Sequence, residues 1–503
     1  MLKKLSLSAI LLCAIFAVAQ QPAPGDAKQL PSKIERLNRA PVSNEVLKVK
    51  LPRPVEVTLP NGLTLLVLEQ HRLPTVQYDL WIKNGAISDP KDMPGLASFT
   101  ADLLREGTAT RNSSQIASEL DEMGASFNAD AGFGDNLTTI GASGLSHSAD
   151  KLMEVMSDIV LNPSFPAVEL KKYVAREKAG LMQLRSNPGF LARERFAHAV
   201  YGDFPAAVQA PTAESLSKAT PEELKAFHDK YYAPNNAILA IAGDLTQAQA
   251  TALAKKYFGQ WKKHPVPELA TGKVPPPSKA QIYLVDRPDS VQANILAGGL
   301  SLRRADPDFI PLTLVNRILG GGAAGRLFVN LREEKGYTYG AYSRFSSHHF
   351  PGTFVANTEV RNAVTDGSLH ELMYELKRLR DQQVPKEELE EAKRSITANF
   401  ALSLENLGGV VNRWMTVKYY GLPIDYWDKY TDQVAKLDAD AVQRTAKRYI
   451  DLDHLQLVVV GDARQIHDAV AKYGEIQEYN ADGKPVPAKP AQPGTAPAAP
   501  GTK

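Results

Sequence analysis

The chain has 503 residues, a formal net charge of +2, 44% hydrophobic residues and a single cysteine. By length alone it should hold roughly three units of about 150 residues. The near-neutral charge, with no long Lys/Arg run, argues against a nucleic-acid-binding surface. The lone Cys13 excludes a disulfide framework and a cysteine-ligated metal.

The N-terminus reads MLKKLSLSAILLCAIFAVAQQ. Lys3 and Lys4 precede an apolar run from Leu5 to Val18, and Ala17-Val18-Ala19 fits an A-x-A cleavage site. The pattern predicts a secretory signal peptide over residues 1–19, cut near Ala19, and a periplasmic or secreted protein. An uncleaved anchor is the alternative reading, but the run is short for a spanning helix. No later stretch is apolar enough, so the mature chain is expected not to span a membrane. Residues 20–45 are polar with Pro22, Pro24 and Pro31, a composition expected to stay disordered.

A strand–turn–strand pattern follows in NGLTLLVLEQHRLPTVQYDLWIKNGAISDP. Next comes GLASFTADLLREGT, Gly95 to Thr108, read as a helix entered through Pro94-Gly95 and left at Gly107. Another helix is expected over 167–184. Tyr231 to Leu245, YYAPNNAILAIAGDL, gives a turn, an alternating strand and a Gly-Asp stop, then a helix to Phe258. Five prolines between Pro265 and Pro277 mark a spacer over residues 264–278.

The same order then recurs. QIYLVDRPDSVQANILAGGLSLRRADPD gives strand, turn, strand and loop, followed by a helix from Phe309 to Leu319. Leu389, Ala392, Ile396 and Phe400 recur at helical spacing within 385–404. Tyr449 to Ala463, YIDLDHLQLVVVGDA, matches the 231–245 segment at one constant offset, with Gly461-Asp462 on Gly243-Asp244. Residues 479–503 are Pro/Ala/Gly-rich and predict a disordered tail. A repeat this long predicts two similar α+β domains, 46–263 and 279–478, rather than a solenoid of about 20–50-residue units. Function is then expected where the halves meet.

These features resemble the M16 family of zinc metallopeptidases, the inverzincins. The family frame reads Gly-x-x-x-(D/E), then Gly-Leu-Ala-His-Phe-x-Glu-His-x-x-x-x-Gly-Thr. This sequence reads Gly95-Leu96-Ala97-Ser98-Phe99-Thr100-Ala101-Asp102 and closes with Gly107-Thr108. The resemblance implies two homologous α+β domains arranged as a clam shell, with the peptide held as an added strand on a sheet edge. In the family the two histidines bind zinc and the glutamate activates the bound water. Here Ser98 and Asp102 stand at the ligand positions and Ala101 at the base position. A serine hydroxyl is a poor zinc ligand, and alanine accepts no proton.

The family's third ligand is a glutamate about 75–80 residues downstream. Glu177 lies in the 167–184 helix, but the positions nearest the expected ligand read Met182-Gln183-Leu184. His348 and His349 are adjacent and would diverge on a strand. The reading is therefore no metal in this chain.

The second half keeps more in GGGAAGRLFVNLREEKGYTYGAYS, Gly320 to Ser343. On the residues alone, Arg332 closes a helix begun after Gly325, Lys335-Gly336 makes a turn, and 337–345 read as a strand. An arginine there complements the helix dipole and a strand tyrosine packs. The resemblance instead implies that Arg332 and Tyr339 grip the substrate backbone and stabilise the oxyanion. Gly320, Gly321 and Gly322 are not a P-loop, because no Gly-Lys-Ser/Thr follows. They are either a flexible linker or, as the resemblance implies, a substrate-contacting loop. Tyr337, Tyr342 and Phe345 read as sheet packing or substrate-facing surface.

Some bacterial members of the family divide the work between two chains. The resemblance therefore implies a zinc-less subunit, inactive alone. It would pair with a zinc-bearing M16 homologue as a heterodimer on a peptide substrate. Zinc would belong to the partner, and this chain would carry no cofactor. The alternative is a non-enzymatic peptide-binding or structural scaffold.

Overall fold

The computed structural model describes residues 48–269 and 271–487. The segments read as a signal peptide and a disordered N-terminal stretch lie outside the described residues, as does the tail beyond 487.

Alternation of apolar and polar residues builds two six-stranded sheets. The first runs β1 (Val55–Thr58), β2 (Thr64–Glu69), β6 (Ala237–Gly243), β3 (Thr75–Ile82), β5 (Thr138–Leu145), β4 (Ser126–Asp130). The second runs β12 (Ile476–Asn480), β7 (Gln281–Asp286), β11 (Gln456–Gly461), β8 (Gln292–Leu300), β10 (Thr353–Arg361), β9 (Ala341–Phe345). From β2 and from β7 onward, the five strands of each sheet correspond one to one. β2 is parallel to β6 as β7 is to β11, and the remaining pairs in each set are antiparallel. The duplication visible in the sequence is a duplication of topology. β6 and β11 are buried along their whole length because each is covered on both faces.

Six helices matter for the site: α1 (Leu96–Leu103), α2 (Ala167–Ser186), α3 (Pro188–Tyr201), α4 (Phe309–Leu319), α5 (Thr365–Asp381) and α6 (Leu407–Tyr420). Each sheet packs one face on helices of its own half. In β3, Val76, Tyr78, Leu80 and Ile82 point that way, into a core shared with Leu96, Phe99 and Leu103 of α1. The opposite face is covered by a helix from the other half. Phe190, Phe196 and Val200 of α3 pack on Val285, Leu296, Val355 and Val458 of the second sheet. Trp414 and Val410 of α6 share a core with Leu66, Trp81 and Ile238 of the first. Asn187 ends α2 and caps α3, its Oδ1 accepting from Phe190 N at 2.9 Å, which turns the chain sharply toward the second sheet.

Polar bonds tie the exchange. Trp414 Nε1 donates to the Pro52 carbonyl at 2.8 Å, and the Tyr419 hydroxyl donates to that of Asn136 at 2.7 Å. The fold also runs past residue 478, because β12 pairs with β7 and Tyr479 bridges Pro485. His348 and His349 lie in the β9–β10 loop. His348 stacks on Phe350, while His349 sits against Tyr419 and Tyr420. Among the described residues, no helix is long and apolar enough to cross a membrane.

Candidate peptide-binding and catalytic site

Gly95 begins α1 with φ 100°, a left-handed conformation that glycine adopts without strain. A side chain there would meet the Phe99 ring at 2.7 Å. The Asp89 carboxylate accepts from Gly95 N at 2.7 Å and Ala97 N at 2.9 Å, capping the helix. Burial pushes that carboxyl up to about 7, against the pull of these donors. The helix ends at Leu103 in a 3-10 turn that stops at Gly107.

The degenerate metal positions have structural partners. Ser98 Oγ donates to the Ala131 carbonyl. Ala101 is buried in the core of the first half. The Asp102 carboxylate accepts from the Tyr173 hydroxyl of α2 at 2.7 Å. Crowding by surrounding protein raises the Asp102 carboxyl, and the charges of Glu177 and Asp130 add to the rise. The charge of Glu177, one helical turn beyond Tyr173, thus reaches the motif. Met182, at 73% exposure, points to solvent instead. The four-residue spacing of Tyr173 and Glu177 was the sequence signal for this face.

This donor set does not fit zinc. Its hydroxyl is bonded to a backbone carbonyl, the Asp102 carboxylate to a phenol, and it has no imidazole. Among the described residues, no group of three His, Cys, Asp or Glu side chains could hold a metal ion.

In the second half, α4 ends at Gly320, whose carbonyl accepts from Ser343 N of β9 at 3.0 Å. A Cβ on Gly320 would lie 2.5 Å from that nitrogen, and one on Gly322 would lie 2.4 Å from Arg317. The glycine triplet thus allows α4 to close against the outer strand, with only Ala323 and Ala324 exposed beyond it. A helical turn at Arg326–Phe328 then widens into a π-helix at Val329–Glu334. Lys335 N donates five residues back to Asn330 O at 3.0 Å. Such turns are rare and often accompany functional sites.

The wide turn rests on a buried polar network. Asn330 Nδ2 donates to Glu371 at 3.0 Å and Glu375 at 2.9 Å on α5. Arg326 pairs with Glu388 through two bonds of 2.7 and 2.8 Å. Held this way, Arg332 lies over the Phe328 ring at 5.0 Å and donates to the Tyr339 carbonyl at 2.7 Å. The Tyr339 side chain is 88% exposed. Arg332 and Tyr339 are therefore brought together, through a backbone oxygen, with the phenol projecting outward.

The strand expected over 337–345 begins only at Ala341. Thr338 Oγ1 accepts from Gly340 N at 3.0 Å and donates to Glu359 O at 2.7 Å, a local turn that displaces ladder pairing. Tyr342 packs on Phe328 and Phe345 on Phe309, while Tyr337 packs beside Gly367 of α5. The two candidate regions occupy equivalent places, α1 beside β4 and the Arg332 turn beside β9, each at the outer edge of its sheet. Their flanking apolar residues belong to separate cores.

Residues 65–206 match the family model described as Insulinase (Peptidase family M16), and residues 218–396 match that of the Peptidase M16 inactive domain. The chain belongs to peptidase family M16. The first match spans the degenerate α1 motif; the second spans Arg332 and Tyr339. This M16 chain is 27% identical over 351 residues to an uncharacterized zinc protease of Rickettsia felis, across 69% of this chain and 83% of that one. It is 24% identical over 363 residues to an uncharacterized zinc protease of Bacillus subtilis, across 71% and 86%. Its fold matches the crystal structure of a peptidase M16 inactive domain from Pseudomonas fluorescens with a TM-score of 0.76. The identity there is 28%, over 81% of this chain and 98% of that one.

Proposed function

We propose that this chain is an exported, zinc-less M16 subunit that pairs with a zinc-bearing homologue and supplies Arg332 and Tyr339 to a composite peptidase site. The observation that carries the reading is the contrast between the two sheet edges. The metal positions are filled by groups with structural partners, whereas Arg332 is braced by a buried network beside an exposed Tyr339. In the complex the partner supplies the metal and its ligands. This chain's guanidinium and phenol donate hydrogen bonds to the substrate backbone and to the oxygen on which negative charge develops. Fixed donors of this kind are worth about 3 kcal/mol each in comparable sites.

The export part of the reading rests on the Lys3-Lys4 start, the apolar run and the A-x-A site. The glycine triplet contributes by bringing α4 against β9, with Ala323-Ala324 as the part that could touch substrate. A second reading, a non-enzymatic peptide-binding scaffold, draws support from the mutual helix exchange, which makes the two sheets one rigid platform.

The deciding experiment mixes the purified chain with a motif-bearing homologue and follows a fluorogenic peptide. Each chain alone should be inactive or weak, and the mixture active. Arg332→Ala and Tyr339→Phe should each lower kcat by about a hundredfold. Full activity in both variants would leave the scaffold reading standing.

A further inference from the structure

The face of the first sheet that looks toward α6 is apolar where Trp414 and Val410 lie on it and polar where the helix begins. A cavity of about 400 Å³ opens there, between β3, β5 and β4 and the first turns of α6. Its floor is a pair of cross-strand rows. Gln77, Ser143 and Ser126 form one; Asp79, Gly141 and Asn128 form the other. Gly141 is the gap in the second row. A Cβ on it would meet Asn128 Oδ1 at 2.8 Å, so the missing side chain lets that amide oxygen lean over the floor. Asp79 and Asn128 stand two strand spacings apart, roughly 10 Å across the glycine.

Among the described residues, Asp79 is the only charged side chain that lines this cavity. Its Oδ2 accepts from Gln77 Nε2 at 2.8 Å, and no cation pairs with it. Burial pushes the carboxyl up to about 6, and only the Gln77 bond pulls the other way. The N–H groups at the start of α6 are spent elsewhere. Gly408 N donates to Asn406 Oδ1 at 2.8 Å, and Gly409 N to the Asn406 carbonyl at 3.0 Å. The groups round the opening are neutral and rich in oxygen. Ser126 and Ser143 share one hydroxyl–hydroxyl bond of 2.8 Å, and the Asn128 and Asn412 side chains complete the rim. Buried Trp81, Val411 and Met415 supply an apolar wall. A carboxylate with one neutral donor, in a hollow ringed by oxygen acceptors, lacks a cation.

We propose that this cavity binds a guanidinium group, the head of an arginine, with Asp79 as its counter-ion. A guanidinium carries its N–H groups in a planar fork. Two of them reach the carboxylate while the others meet the hydroxyl and amide oxygens of the rim. It is more weakly hydrated than an ammonium, so it gives up less on entering a half-closed site. The aliphatic stem then lies on the apolar wall. The volume falls within the range of small-ligand sites, about 300–1,000 Å³. The site belongs to the sheet face turned away from α1 and requires neither zinc nor a partner chain.

The test uses the chain alone and isothermal titration calorimetry at pH 8, where a carboxyl raised to about 6 is ionised. The probes are the blocked tripeptide acetyl-Ala-Arg-Ala-amide, the same peptide with citrulline, and free L-arginine. Citrulline keeps the shape of arginine and loses the charge. The arginine peptide or free arginine should bind about tenfold more tightly than the citrulline peptide, and which one does so identifies the source of the guanidinium. Asp79→Asn should abolish the preference and melt no lower than the wild type, because it removes a charge held by one neutral donor. Ser126→Arg, on the exposed rim, should abolish it too, by placing the chain's own guanidinium over Asp79. Glu222→Gln, an exposed acid on another helix, should leave it intact. Equal affinity of the wild type for arginine and citrulline probes, including no binding by any, overturns the proposal. So does a preference that survives Asp79→Asn or, if that variant melts below the wild type, one that survives Ser126→Arg.

Discussion

Tyr173 donates its hydroxyl to the Asp102 carboxylate at 2.7 Å, so the position that the motif resemblance assigns to a metal ligand here fastens α1 to α2. The contact accounts for why a degenerate motif keeps a polar residue. Tyr173 is 4% exposed and packs edge-on against Phe99 of α1. Tyr173→Phe retains the ring and deletes only the bond. Urea unfolding should show a loss of about 1 kcal/mol. The Asp102 carboxyl should also titrate still higher, because the Tyr173 bond is the main influence lowering it. Unchanged stability together with an unchanged titration would show the bond to be idle.

The charge of Glu177 reaches Asp102, which makes this acid the one to test as third ligand of a rebuilt metal site. The triple substitution Ser98→His, Ala101→Glu and Asp102→His restores two imidazoles and a base on α1, facing the acid of α2. The triple variant is expected to bind about one zinc per chain, and adding Glu177→Gln should weaken that binding about tenfold or more. The wild type should bind none. Elemental analysis after dialysis decides it: a zinc-free triple variant would mean that Glu177 does not reach the ion.

The π-turn presenting Arg332 depends on Asn330, whose amide donates to the buried Glu375. Asn330→Ala leaves that carboxylate short of a donor in a site almost closed to water. A loss of about 2–3 kcal/mol is expected by denaturant unfolding. The effect should be local as well, with amide exchange at Lys335 and Tyr337 rising before that of α5. Equal stability of variant and wild type would show that the turn does not need this network.

The duplication was legible because Gly-Asp stops and apolar alternation are local signals, and α4 has the bounds its spacing predicts. The Pro385–Leu404 expectation is trimmed only to Lys386–Leu402. What escaped depended on distant partners. Alternation in β3 says that two faces differ, but not that α6 of the other half covers one of them. The π-turn has no spacing signature, since it follows from Asn330 meeting Glu375, which is far along the chain. Thr338 shortens β9 through its own hydroxyl, which outcompetes the propensity of its tyrosine neighbours. Counting along the chain pointed past Glu177, toward Met182-Gln183-Leu184, because a count does not show which helix positions turn to α1.

Asp89 makes α1 sensitive to pH. Its carboxyl is pushed up to about 7 in the fold, above the ordinary unfolded value of about 4. An acid raised in this way favours the folded state when protonated. Its contribution is therefore fully present below about pH 4 and is lost as the pH rises toward 7. Asp89→Asn removes the titration and keeps a carbonyl oxygen for the helix N–H groups. The melting-temperature difference, wild type minus variant, should fall steadily between those two pH values. A difference that stays flat would show that Asp89 is ionised throughout.

The helix exchange predicts that the two sheets unfold together. Trp414 is 2% exposed, sits in one core with Leu66 and Trp81 of the first sheet, and bonds the Pro52 carbonyl. Trp414→Ala removes that filling and leaves a carbonyl without its donor, a loss of about 3–5 kcal/mol. Were the halves independent, only the first sheet's exposed face would feel the loss. Because α3 of the first half also covers the second sheet, loosening one exchange loosens the other. Hydrogen exchange should therefore show amides of β3 and β8 losing protection in parallel in the variant. Protection retained in β8 while β3 opens would mean that each half stands on its own core.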